Sequence, residues 1–135
     1  MSGRIYTDKE LCWATQLSYC NFDKNYVDDY KKLHGEYPTF QEIFSAVENP
    51  YDLYFDQNII AGDNEGDWLV MQNEAKAFID RVKAGTICQG WRIVEVSKDT
   101  DQKETGFYAV TIQTSEEDAI VSFRGSEAVD INQFV

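Results

Sequence analysis

The 135 residues are 43% hydrophobic and 14% aromatic, which suits one folded domain with a core of its own and not a disordered chain. Twenty-four acidic residues against 12 basic ones give a formal net charge of −12, which argues against direct binding to nucleic acid and against docking on an anionic membrane. No apolar run approaches the length of a membrane span, and the first residues lack the basic-then-apolar order of a signal peptide. The expected location is the cytoplasm. Cys12, Cys20 and Cys88 form no CxxC pair and read as buried, reduced thiols. Acidity itself has two readings, plain solubility or a protein partner with a basic face.

In chain order, Thr7-Asp8-Lys9-Glu10 is a capping box. Leu11, Ala14, Leu17 and Ser18 then recur at helical spacing, widened by Trp13 and Cys20, and predict a helix over 8–20. Asp23 caps a second helix over 24–33 whose face is Tyr26, Val27, Tyr30 and Leu33, with Gly35 as its left-handed cap. Thr39-Phe40-Gln41-Glu42 is a second capping box, opening a short helix to Glu48 with Phe40, Ile43, Phe44 and Val47 inward. Residues 51–67 lack a clean period. Asp63, Glu65 and Asp67 alternate as calcium ligands would, but Gly66 is misplaced for an EF-hand loop, so a solvated turn is expected. Asp67 is expected to cap the longest helix, 68–84, with Leu69, Val70, Asn73, Ala77, Phe78 and Val82 on its buried side.

After Gly90 the period changes to two. Residues 91–96, 107–112 and 119–123 read as strands of an antiparallel meander, joined by a charged turn over 98–105 and by Ser115-Glu116-Glu117-Asp118. The expected fold is α+β and a single domain: helical over 1–90, a β-meander over 91–126, and the start of a helix over 127–135. Ala119, Ile120, Val121 and Phe123 make the third strand apolar nearly throughout, interrupted by Ser122. A strand buried on both faces belongs in the middle of its sheet, which implies further sheet or a partner that supplies it.

No complete catalytic set is present. None of the seven serines sits in a Gly-x-Ser-x-Gly elbow. The single histidine, His34, lies at a helix end, where a cation favourable to the helix dipole explains it. There is no Walker loop and no GxGxxG, and neither a metal nor a cofactor is expected. The remaining feature is the corner Arg124-Gly125-Ser126 after the third strand. Taken alone, it fits a strand-ending turn with a surface arginine.

Val121-Ser122-Phe123-Arg124-Gly125-Ser126 resembles the Phe-Arg-Gly-Ser/Thr segment of class 3 lipases, a branch of the α/β-hydrolases. Leu17-Ser18-Tyr19 in an early helix and Gly106-Phe107-Tyr108-Ala109-Val110 in the middle strand are similar in style. The resemblance implies that Ser126 is the oxyanion residue, acting through its backbone N–H and hydroxyl. It also implies that Gly125 permits the close turn and that Arg124 anchors the corner without being catalytic. The chain departs from the family in having no Gly-His-Ser-Leu-Gly elbow, acid or late histidine. The function expected from the resemblance is a lipase-like portion without hydrolase activity on its own. The alternative is a small acidic module that binds a protein, or that associates with itself through an uncovered strand edge.

Overall fold

The computed structural model describes residues 5–54, 66–98 and 108–124, with residues 66–72 as backbone. They form an α+β fold of four α-helices followed by a three-stranded antiparallel sheet.

Helix α1 (Asp8–Ser18) starts at its capping box. The Glu10 N–H donates to Thr7 Oγ1 at 3.1 Å, and the Thr7 N–H donates to Glu10 Oε1 at 3.0 Å. Ala14, Leu17 and Ser18 are buried, whereas Leu11 is exposed, so the inward stripe begins a turn later than predicted. Cys20 lies beyond the helix, in an isolated antiparallel bridge with Tyr54. Helix α2 (Lys24–His34) is capped by Asp23, which accepts from the Asn25 N–H at 2.8 Å. Gly35 ends it at φ 78°, with its N–H donating to the Lys31 carbonyl. Val27 is its one buried residue, and Leu33, expected inward, is 79% exposed.

Helix α3 (Phe40–Ala46) repeats the capping box with Thr39 and Glu42 and buries Phe40, Ile43 and Phe44. It ends short of Glu48 because Val47 is already extended. A 3₁₀ turn (Pro50–Leu53) follows, and Asn49 accepts from the Tyr51 N–H. Helix α4 (Gly66–Ala84) begins before Asp67, so the backbone of that residue already lies within the helix. The buried stripe of α4 is Ala75, Phe78, Ile79 and Val82, an i, i+3, i+4, i+7 set. Asn73 and Ala77, expected on that side, are exposed. The expected solvated turn at Asp63-Asn64-Glu65 lies outside the described residues, as does most of the charged turn over 98–105.

Strands β1 (Arg92–Lys98), β2 (Tyr108–Gln113) and β3 (Ala119–Phe123) lie in that order. Ile93 pairs with Ile112 and Ile112 with Ile120; Val96 pairs with Val110 and Val110 with Ser122. Directly opposed residues share a face, so these two rows form the inner face of the sheet. A bulge between Ile93 and Glu95 lets both Ile93 and Val96 turn inward. Helix α1 packs on β2 and β3, α2 on β1, and α3 on α4.

Two expectations are refined. Among the described residues strand β3 is the edge of the sheet and is not buried on both faces, with Val121 52% and Phe123 46% exposed. The helices cover the inner face, and alternation sends Ala119, Val121 and Phe123 to the other. The polar residue Ser122 is therefore the buried one, and its hydroxyl donates to the Ala14 carbonyl at 2.9 Å. The second concerns Cys12, which is exposed; only Cys20 and Cys88 are buried.

Candidate functional site: the Arg124 corner

Strand β3 delivers Arg124 to the C-terminal end of α1. The Arg124 N–H donates to the Tyr108 carbonyl at 2.8 Å and so extends the β2–β3 ladder past Phe123. Its side chain turns in toward the protein. Nε donates to the Ser18 carbonyl at 2.7 Å, and an Nη2 N–H donates to the Cys20 carbonyl at 3.1 Å. The guanidinium lies over the Tyr108 ring, 3.8 Å from its centroid. This is not a surface arginine at the end of a strand.

The last carbonyls of a helix lack intrahelical donors and carry the negative end of its dipole. Helix α1 has no basic residue in its own last turn. Its end is served from the sheet instead. Arg124 donates to Ser18 and Cys20, the Tyr108 hydroxyl to Cys20 at 2.8 Å, and, one turn earlier, Ser122 Oγ to Ala14. The Tyr108 oxygen in turn accepts the Phe22 N–H at 2.8 Å. Five residues that follow the helix or lie far from it in sequence, Cys20, Phe22, Tyr108, Ser122 and Arg124, thus share one polar knot.

Titration in the knot is governed by burial. Burial pushes the Tyr108 hydroxyl up to about 12, partly offset by the hydrogen bond from Phe22 and the charge of Arg124. Burial likewise pushes the Cys20 thiol up to about 12, against the pull of Arg124. Burial lowers the Arg124 guanidinium from its ordinary value; arginine stays charged at neutral pH regardless. Cys88, on a left-handed backbone at φ 54°, is pushed up by burial to about 12 as well. Nucleophilic thiols are depressed, not raised, so these two cysteines are structural.

The corner residues Gly125 and Ser126, the latter the oxyanion candidate, lie outside the described residues. His34 closes α2, with its ring 4.2 Å from that of Tyr30, in the helix-end setting expected from sequence. Among the described residues no group of three or more His, Cys, Asp or Glu side chains could hold a metal. None of the described helices is long and apolar enough to cross a membrane.

Sequence reasoning identified Arg124 as an anchor through the resemblance but missed its two partners in the knot, Tyr108 and Ser122. A signal existed for Ser122, since a lone hydroxyl in an apolar strand needs a buried acceptor. Nothing local marks Tyr108, whose partners come from 86 and 88 positions away. Comparison with protein-family models, with curated proteins and with solved structures finds no match.

Proposed function

We propose that this chain is the oxyanion-bearing portion of a lipase-like α/β-hydrolase sheet, without hydrolase activity on its own. The observation that carries the reading is the inward anchoring of Arg124 at the end of β3. That is the role the class 3 lipase resemblance assigns to this arginine, and a simple surface turn would not need it. With Arg124 fixed, Ser126 is the residue that would present a backbone N–H and a hydroxyl to a developing oxyanion. Preorganised donors of this kind are worth about 3–4 kcal/mol each in a transition state. They act only where a nucleophile attacks, and no Gly-x-Ser-x-Gly elbow occurs in the chain.

The test combines two measurements. A short-chain p-nitrophenyl ester should show no turnover above buffer, with wild type and Ser126→Ala alike. In ¹⁵N–¹H spectra the Ser126 amide should shift when butylphosphonate, a tetrahedral anion, is added. A Ser126-dependent rate would overturn the inactivity. A Ser126 amide that ignores the anion would overturn the oxyanion assignment.

A second reading is favoured by the outer face of the sheet, where Val121 and Phe123 stand exposed on an edge strand. Such an edge invites another strand. In this reading the chain is an acidic interaction module whose partner is either a basic protein or a second copy of itself. Opposite responses to salt separate those two partners.

A further inference from the structure

We propose that the groove between α1 and α4 binds a small zwitterion with an apolar body, of the size and charge of a free aromatic amino acid. This goes beyond the oxyanion reading and uses none of its residues.

Two matched stripes build the groove. Helix α1 contributes Lys9, Cys12, Trp13 and Gln16, and α4 contributes Glu74, Ala77, Phe78 and Arg81, with Ile87 completing the lining. Each quartet has the i, i+3, i+4, i+7 spacing that places residues on one face of a helix. Apart from Phe78, which α4 shares between core and groove, these stripes are not the buried cores of their helices, for Lys9, Cys12, Glu74, Ala77 and Arg81 are exposed. Helix α1 packs on the sheet and α4 on α3, and the space between them amounts to about 460 Å³. Small-ligand pockets run from roughly 300 to 1,000 Å³.

The lining carries both signs of charge. Lys9 and Arg81 are cations, and among the described residues neither side chain makes a hydrogen bond or ion pair. They suit a carboxylate, which arginine can grip with two parallel N–H donors. Glu74 and the Gln16 carbonyl oxygen are acceptors. Gln16 Oε1 is buried and has no hydrogen-bond partner. An ammonium group balances the Glu74 charge. Trp13, Phe78, Ala77 and Ile87 supply the apolar part of the lining. Trp13 is held edge-on against Trp91 at 5.9 Å, a fixed aromatic wall for an apolar body. A second cleft, about 200 Å³ between α2 and α3, has an apolar lining apart from Asp23, whose carboxylate already caps α2. It lacks this pairing of opposite charges.

The experiment is a ¹⁵N–¹H titration of the full chain with three probes: L-phenylalanine, N-acetyl-L-phenylalanine and L-phenylalaninamide. L-Phenylalanine should shift amides on both stripes. Each blocked probe, lacking one charge, should bind about tenfold more weakly, the equivalent of about 1.4 kcal/mol. Arg81→Gln and Glu74→Gln should each weaken L-phenylalanine about tenfold. Both residues are exposed, and the same spectra report that the variants are folded. The proposal is overturned if L-phenylalanine shifts no amide on the stripes, if the blocked probes bind as well as the free amino acid, or if neither variant changes its affinity.

Discussion

Arg124 Nε meets the carbonyl of Ser18 at 2.7 Å across 106 positions of sequence. The contact joins the end of the edge strand to the end of the first helix and places a positive charge where the α1 dipole is negative. Arg124→Met keeps the stem but removes the donors and leaves the Ser18 carbonyl unserved. Charge-assisted hydrogen bonds contribute about 1.5–3 kcal/mol, so a loss of about 2–3 kcal/mol is expected. Arg124→Lys should recover part of it, because an ammonium cannot fork to two carbonyls and lie flat on Tyr108 as well. Urea midpoints at neutral pH check both variants; a midpoint unchanged in Arg124→Met would mean that the knot is decorative.

Tyr108 makes the fold sensitive to alkali. Its hydroxyl is pushed from the ordinary 10 up to about 12 by burial, and the Cys20 thiol from 9 to about 12 by the same cause. A group whose folded value is raised holds its proton longer in the native state than in the unfolded one. Its contribution is therefore complete below the unfolded value and is lost as pH rises toward the folded one. Stability should be level to about pH 9 and fall steadily between 9 and 12, by about 2–3 kcal/mol for Tyr108 alone. Tyr108→Phe should cost about 1–3 kcal/mol at neutral pH, since the buried Phe22 N–H loses its acceptor, and should also flatten the alkaline slope. Urea midpoints at about pH 8 and about pH 11 test this; equal slopes for wild type and variant would contradict it.

The elements that sequence located well are those whose signals are local. Both capping boxes form as read, because Thr7 with Glu10 and Thr39 with Glu42 lie within one turn. Gly35 takes the left-handed cap for the same reason. Strand β3 was placed to the residue, yet its environment was inverted. Composition marks Val121 and Phe123 as interior, but which face the helices cover depends on where α1 lands. In α4 the inward side was mistaken at Asn73 and Ala77, because that side is set by where α3 packs. The Arg124–Tyr108–Cys20 knot was illegible for a related reason. Its hydrogen bonds form between segments that the sequence does not bring together.

Gln41 is a local helix residue with a distant task. Its Nε2 donates to the Val82 carbonyl at 2.9 Å and lies 3.3 Å from that of Ile87 and 3.4 Å from that of Cys88. It thus closes the C-terminal end of α4 from α3. Gln41→Leu preserves the bulk and removes the donor from a half-buried site. A destabilisation of about 1–2 kcal/mol is expected, together with faster amide exchange in the last turn of α4. Protection there equal to wild type would show that the α4 end does not depend on this residue.

The exposed edge gives the last prediction, in which salt decides between partners. Ala119, Val121 and Phe123 lie on the outer face of β3 and are exposed. Two copies paired antiparallel about Val121 would set each Ala119 opposite a Phe123 and join their apolar rows into one stripe. Such a dimer brings two chains of net charge −12 together, and added salt screens that repulsion. Self-association should therefore strengthen with salt, whereas binding to a basic protein should weaken with it. Val121→Lys puts a charge on the outer face of the edge strand, the usual block to strand addition, and leaves the inner face untouched. By sedimentation equilibrium, the weight-average mass of wild type should rise with protein concentration and with salt, while Val121→Lys stays monomeric. A wild-type monomer at every concentration and salt would rule out the paired edge and leave the basic partner as the interaction to seek.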